Sequence, residues 1–147
     1  MTASLADARL VLEAGSRLLA EAVDAAKRLT KGGADIDDHQ VVTERVAYAA
    51  TEAVAAHEVL AELERWRAEG KATAIREKTA IAAVGELMTN LAFRLSGVAD
   101  ELGLGDAAVE RSFPAAVRNA LRRTTAESLL RELGANVAAT RSSSSIG

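Results

Sequence analysis

Few residues of this chain have the types and spacing that catalysis, metal binding or phosphate binding requires. There is no cysteine, which excludes thiol nucleophiles, disulfides and cysteine-bound metals. The two histidines, His39 and His57, lie eighteen positions apart, and neither pairs with a glutamate in the Glu-x-x-His spacing of a di-iron bundle. Gly32 and Gly33 lack the lysine and serine that complete a phosphate-binding loop. We therefore expect no metal site, and we interpret these two glycines as a helix end.

Six arginines lie in the last third of the chain. They are Arg111, Arg118, Arg122, Arg123, Arg131 and Arg141. On one helix, Arg111, Arg118 and Arg122 would form a basic stripe, which could bind a phosphate-bearing ligand or an acidic partner. Glutamates are interleaved with these arginines and no aromatic platform accompanies them. The favoured interpretation is a face that forms salt bridges in solvent or between subunits.

Three aspartates, Asp35, Asp37 and Asp38, stand close together after the first glycine pair. The cluster resembles a calcium-binding loop, but the glycine and the closing glutamate of such a loop are missing. Acidic residues also favour the positive end of a helix. We therefore interpret the aspartates as the cap of a helix.

The composition predicts a single helical domain. A chain of 147 residues can bury one core. Because 49% of the residues are hydrophobic and only 3% are aromatic, alanine, leucine and valine must fill that core. The net charge of −3 gives no general attraction to nucleic acid or to an anionic membrane. No apolar run approaches the ~20 residues of a membrane span, and the first residues lack a signal-peptide pattern, so we predict a soluble cytoplasmic protein.

Hydrophobic periodicity predicts four helices with glycines at their ends. We expect them from Ser4 to Lys31, from Asp37 or Asp38 to Gly70, from Ala72 to Gly103, and from Pro114 onward, with a short helical turn at 106–111 and an early end at Gly134 as an alternative. Apolar stripes mark the second helix (Val42, Val46, Ala49, Ala53, Ala56, Leu60, Leu63), the third (Ile81, Val84, Met88, Leu91, Leu95, Val98, Leu102) and the fourth (Val117, Leu121, Leu129, Leu130, Leu133, Val137).

Short connections between long amphipathic helices favour antiparallel neighbours. We therefore predict an all-α, up-down antiparallel four-helix bundle that forms a single domain over residues 1–140. The Ser-rich segment 141–147 has little apolar surface to offset its ordering entropy, so it is predicted to be a disordered tail.

Several short motifs occur in a particular order along the chain. They are Arg9 to Gly15 (RLVLEAG), Gly33 to Gln40 (GADIDDHQ), Arg45 to Ala53 (RVAYAATEA), Val109 to Arg111 followed by Phe113, and Thr125 to Glu127 (TAE). In this order and spacing, the chain resembles the C-terminal four-helix domain of the acyl-CoA dehydrogenases, flavoenzymes that oxidise acyl-CoA thioesters. The resemblance spans nearly the whole chain and implies a helical bundle that packs subunits together.

The chain departs from this family at the positions that matter for catalysis. The resemblance implies a glutamate that removes the α-proton of the thioester, either at position 123 or at position 8. Arg123 and Ala8 stand there, and neither can accept a proton near neutral pH. Leu29 stands where the family has a flavin-contacting arginine, and the flavin segment around Gly103 is shortened. The 147 residues also do not include the family's N-terminal helical and middle β domains.

Three functions are compatible with this pattern. The leading hypothesis is a catalytically silent acyl-CoA dehydrogenase-like helical domain that acts as an oligomerising or accessory subunit, either as a homo-oligomer or with a larger flavoprotein subunit. It would hold no cofactor on its own. One alternative is a subunit of a split, heteromeric FAD-dependent acyl-CoA dehydrogenase, in which FAD is shared with a partner. The other is a bundle that binds a small hydrophobic or CoA-type ligand.

The resemblance and the apolar stripes also single out residues for each role. If FAD or CoA is bound, Gln40, Arg111 and Arg123 are the candidate contacts. For assembly, the apolar faces of the second and third helices are expected to matter most, represented by Ala53, Ala56, Leu91 and Leu95. No catalytic residue and no metal ligand is predicted.

Overall fold

A computed structural model of the protein describes residues 2–144, and all regular structure within this range is helical. The elements are α1 (Leu5–Leu29), a 3-10 turn (Ile36–His39), α2 (Gln40–Ala68), α3 (Ala74–Ser96), α4 (Asp106–Ser112), α5 (Ala115–Thr124) and α6 (Glu127–Ser144). The predicted all-α class is confirmed, and no strand occurs within this range.

The first helix begins where its sequence predicts. The Asp7 backbone N–H donates to Ser4 Oγ at 3.2 Å, and the Ser4 N–H donates to Asp7 Oδ2 at 3.0 Å, which is a complete capping box. At the other end, Gly32 has a φ of +70°, a left-handed conformation that favours glycine and lets the chain leave the helix. The predicted cap and the predicted glycine stop are both confirmed.

The start of the second helix differs from the prediction. Asp37 and Asp38 lie in the 3-10 turn, and His39 occupies the N-cap position of α2. Neither Asp35 nor His39 forms a side-chain capping hydrogen bond. The prediction that the aspartates cap this helix is therefore wrong, because the intervening turn moves the helix start two residues beyond them.

The third helix is shorter than predicted. It starts after the Thr73 cap, whose Oγ1 accepts a hydrogen bond from the Arg76 N–H, and it ends at Ser96 instead of Gly103. The segment that follows forms turns that still bury Val98 and Leu102. The apolar pattern of the sequence therefore continues beyond the last helical residue. For this reason the pattern could not show where the helix ends.

The fourth predicted helix, from Pro114 onward, is two helices, α5 and α6, and the short helical turn predicted at 106–111 is confirmed as α4. Pro114 precedes α5 as its N-cap and separates it from α4. The Thr125 hydroxyl donates to the Leu121 carbonyl at 2.8 Å. This hydrogen bond from a side chain to the backbone lies at the break between α5 and α6. Gly134 lies inside α6, so it does not end a helix.

The last helix is more exposed and extends further than the sequence predicts. Leu129 is buried, but Leu130 and Val137 are 52% and 58% exposed, so the predicted burial of these two residues is wrong. Residues 141–144 continue α6, because helical hydrogen bonding propagates into the Ser-rich segment. The start of the predicted disordered tail is thus helical, and residues 145–147 lie outside the described range.

The core is organised around α3, which packs against α1, α2, α4, α5 and α6. Every residue of the predicted apolar stripes of α2 and α3 is buried, including those that lie beyond the end of α3. The helices approach closely where side chains are small. Gly85 of α3 faces Thr124 of α5 so closely that an added Cβ would lie 2.4 Å from the Thr124 hydroxyl oxygen.

Candidate functional site

Gln40, a predicted cofactor contact, is the first residue of α2 and is exposed. It lines a shallow hollow of about 400 Å³ whose other walls include Asp37, Asp38 and Glu101. Neither Arg111 nor Arg123 lines this hollow. Three carboxylates would repel the phosphates of FAD or CoA, so the surroundings of Gln40 disfavour such a cofactor.

Arg123, another predicted cofactor contact, is held by a carboxylate of its own chain. Its Nη2 and Nε donate to the two oxygens of Asp7 at 2.8 and 3.1 Å, which joins α5 to α1 in a bidentate pair. Hydrogen bonding from Arg123 holds the pKa of Asp7 below its usual value, although partial burial opposes the shift. The guanidinium is therefore committed to packing two helices together.

Replacing Asp7 with asparagine is expected to destabilise the fold near neutral pH. Because the pKa of Asp7 is lowered on folding, its contribution is fully present above the unfolded value of 3.8 and is lost as the pH falls through the folded value. Urea unfolding between about pH 7 and about pH 2.5 would measure this trend. The difference in free energy of unfolding between wild-type and Asp7→Asn should shrink as the pH falls.

The exposed Asp24 on the same helix provides a matched control for this experiment. Asp24→Asn should leave the free energy of unfolding nearly unchanged at both ends of the pH range. A difference between wild-type and Asp7→Asn that is the same at every pH would contradict the ion pair.

The predicted basic stripe is not formed. Arg111 lies on α4, whereas Arg118 and Arg122 lie on α5, and Pro114 separates the two helices. Arg118 donates to the Phe113 carbonyl at 2.8 Å and so closes the turn between them. Arg111 is exposed and is the only one of the predicted cofactor contacts on α4. The stripe, which was the less favoured interpretation, required one continuous helix, and the structure has two.

Both histidines lie outside any catalytic constellation among residues 2–144. Within this range, no group of three or more His, Asp or Glu side chains could hold a metal ion. His57 Nε2 lies 3.2 Å from Ser16 Oγ, a contact between α2 and α1 across 41 positions of sequence. His39 is the N-cap residue of α2, and its side chain forms no capping hydrogen bond. The Ser16 contact therefore connects two helices.

The residues predicted to represent the assembly face are all buried in the core of the single chain. Ala53, Ala56, Leu91 and Leu95 are each less than 5% exposed and pack α2 and α3 into the core. Because nothing outside the chain can reach them, a contact with another subunit must involve other residues. Their apolar character serves the fold of the single chain.

Several large apolar side chains are exposed on the surface between the start of α2 and the end of α3. This surface was not predicted from the sequence. Phe93 is 81% exposed, Val41 is 67% exposed and Tyr48 is 50% exposed. Phe93 and Val41 line a groove of about 580 Å³, together with Arg45, Asn90 and Glu101 among others. We call this the Phe93 groove. Large apolar side chains gathered around a hollow are typical of a surface that binds another molecule.

One wall of the Phe93 groove is held by a polar cluster between α2 and α3. Arg94 donates from Nε to Glu52 Oε1 at 2.8 Å, and its guanidinium lies 5.1 Å from the centroid of the Tyr48 ring. The side chains of Arg94 and Glu52 are 31% and 11% exposed, so this pair is shielded from solvent about as well as the pair of Arg123 and Asp7. The groove is therefore attached to a rigid pair of helices.

A second hollow lies further along the same two helices, where α6 passes over them. It has a volume of about 640 Å³ and is lined by Trp66, Val59, Ile75 and Asn136 among others. Arg76 lies 4.5 Å from the centroid of the Trp66 ring. Glu58, Glu62 and Arg65 also line this hollow, so it combines an aromatic and apolar surface with charges of both signs.

The signal for the Phe93 groove was present in the sequence. The buried positions of α3 recur at Met88, Leu91 and Leu95, and Phe93 falls off that stripe. An aromatic residue outside the apolar stripe of a chain with so few aromatic residues is a direct indication of an exposed surface. In contrast, no local pattern indicates the Asp7 and Arg123 pair, whose members are 116 positions apart.

The fold and this surface define an all-helical protein with an exposed aromatic groove. No family model, curated protein or solved structure matches the chain. Among the helices of the described range, none is both long and apolar enough to cross a membrane.

Proposed function

We propose that this chain is a catalytically silent helical subunit that acts by packing against other protein chains. In this proposal it is similar to the C-terminal four-helix domain of the acyl-CoA dehydrogenases, has an up-down arrangement of its helices and works in the cytoplasm. The single observation that carries the proposal is the exposure of Phe93, with Val41 beside it, on a groove between α2 and α3.

The residues at the two positions expected for the base support catalytic silence. Ala8 is completely buried, and Arg123 forms its bidentate pair with Asp7, the residue next to Ala8. Neither position holds a group that could take a proton from a thioester.

An activity assay tests the silent part of the proposal. The purified chain, supplied with FAD, an acyl-CoA thioester and an artificial electron acceptor, is expected to show no acyl-CoA oxidation above the rate without protein. Oxidation that depends on the protein would contradict the proposal. It would favour an enzyme that uses a base other than the residues at positions 8 and 123.

A second candidate function, binding of a small hydrophobic or CoA-type ligand, is supported by the hollow at Trp66 and Arg76. A ligand at a hundred times its dissociation constant stabilises a folded protein by about 2.7 kcal/mol. A thermal-shift screen with CoA thioesters should therefore raise the melting temperature if this candidate is correct. Trp66→Ala should abolish the rise, and no rise with any thioester would contradict it.

A further inference from the structure

The Phe93 groove has both parts of a self-complementary surface. Phe93 protrudes into solvent at the edge of the groove, and the hollow beside it is of a size to receive an aromatic ring. A patch that carries a protruding group beside a matching hollow can pair with a second copy of itself about a two-fold axis. Such an isologous pairing is the commonest arrangement in homo-oligomers.

The groove carries charges of both signs. Arg45 and Glu101 both line it, and Glu101 also lines the adjoining hollow at Gln40 together with Asp37 and Asp38. Arg45 lies one helical turn beyond Val41 on α2. A second copy that placed its Glu101 opposite Arg45 and its Arg45 opposite Glu101 would make both contacts attractive.

These charges are not neutralised within the chain. Among the described residues, Arg45 and Glu101 form no ion pair, although they line the same groove. By contrast, the buried neighbour Arg94 is paired with Glu52. The presence of both signs on one patch disfavours nucleic acid or a uniformly acidic partner, each of which would meet Glu101 and the two aspartates.

We propose that the Phe93 groove is a self-association surface whose occupant is a second copy of this chain. Phe93 of each copy enters the groove of the other, and Arg45 of each copy lies opposite Glu101 of the other. This inference rests on the proposed function, because it names the partner at the surface that carries that function.

Sedimentation equilibrium of the full chain and of two charge-reversal variants tests the inference. The native chain is expected to be a dimer. Arg45→Glu alone and Glu101→Arg alone each create two repulsive contacts per dimer, so each should raise the dimer dissociation constant by about tenfold or more. In an equimolar mixture of the two variants, every contact is again attractive, and the mixture should form dimers with nearly native affinity.

The mixing step separates a contact between copies from a contact within one chain. An interaction within the chain would be broken in both variants and could not be repaired by mixing them. Arg67→Glu, an exposed charge reversal at the far end of α2, is the matched control and should leave the dissociation constant unchanged. Circular dichroism melting should show that all three variants remain folded, because the substituted residues are exposed.

The possible results distinguish this inference from the proposed function. A native dimer that both variants weaken and that mixing restores supports the inference. A native oligomer that neither variant affects, or variants that mixing does not restore, would overturn the inference and leave the proposed function intact. A chain that is monomeric alone but occurs in its source with a larger chain would have the same consequence. A chain that is monomeric in both settings would overturn both.

Discussion

Replacing Leu91 with aspartate is expected to unfold the protein. Leu91 is fully buried in α3, the helix against which five other helices pack. The substitution removes a leucine from the core and introduces a carboxylate for which the core has no partner. Each effect alone costs about 2–5 kcal/mol, and a small domain has a total stability of only about 5–15 kcal/mol. Far-UV circular dichroism should show loss of most helical signal, or the variant should be insoluble.

Val54→Asp is the matched control for this prediction. Val54 lies in α2 and is 63% exposed, so the same kind of substitution there should change the free energy of unfolding by no more than about 0.5 kcal/mol. The variant should remain soluble and helical. If Leu91→Asp were as stable as Val54→Asp, the central position of α3 in the core would be wrong.

Replacing Gly85 with alanine is expected to destabilise the protein, although alanine is the better helix former. A Cβ at this position would lie 2.4 Å from the Thr124 hydroxyl oxygen and 2.8 Å from the Thr124 Cβ. Thr124 is fully buried in α5, so the two helices must move apart. Overpacking of this kind costs about 1–3 kcal/mol, which outweighs a gain in helix propensity of about 0.5–1 kcal/mol. Urea unfolding would measure the net loss.

Gly134 provides the opposite case in the same chain. It lies inside α6, and a Cβ there would meet no atom within 4 Å. Gly134→Ala should therefore stabilise the protein by about 0.5–1 kcal/mol in the same urea experiment. If Gly85→Ala and Gly134→Ala were both stabilising, the close approach of α3 to α5 would be contradicted.

Much of the helical pattern in the first two-thirds of the chain could be predicted because its signals are local. The Ser4 cap, the glycine at position 32 and the apolar stripes each act within a few residues, and each is found where the sequence predicts it. Burial was predicted residue by residue along α2 and α3 for the same reason. A side chain on the wrong face of a long helix would expose apolar surface or bury charge.

The last third could not be predicted in the same way. The break between α5 and α6 involves a threonine that bonds back to the Leu121 carbonyl, a contact that many helical threonines also form without a break. The exposure of Leu130 follows from where α6 lies on α3, which no property of the α6 sequence determines.

The candidate site was predicted least well because its residues depend on tertiary packing. From the sequence, Arg123 was a candidate to bind a phosphate. In the fold it binds Asp7, which is 116 positions away in the sequence. Ala53 and Leu91 looked like an assembly face because an apolar stripe has the same pattern whether it faces its own chain or another. Phe93 and Val41 both lie off the apolar stripes of their helices, and their positions could have revealed the exposed groove.

Native mass spectrometry of the protein as it occurs in its source tests the central claim most directly. The claim that this helical chain functions by packing against other protein chains predicts a mass greater than that of one chain, either an integral number of copies or a complex with a larger subunit. A larger subunit that retains FAD would favour the split dehydrogenase as the form of that complex. A single uncomplexed chain of 15.4 kDa would contradict the claim.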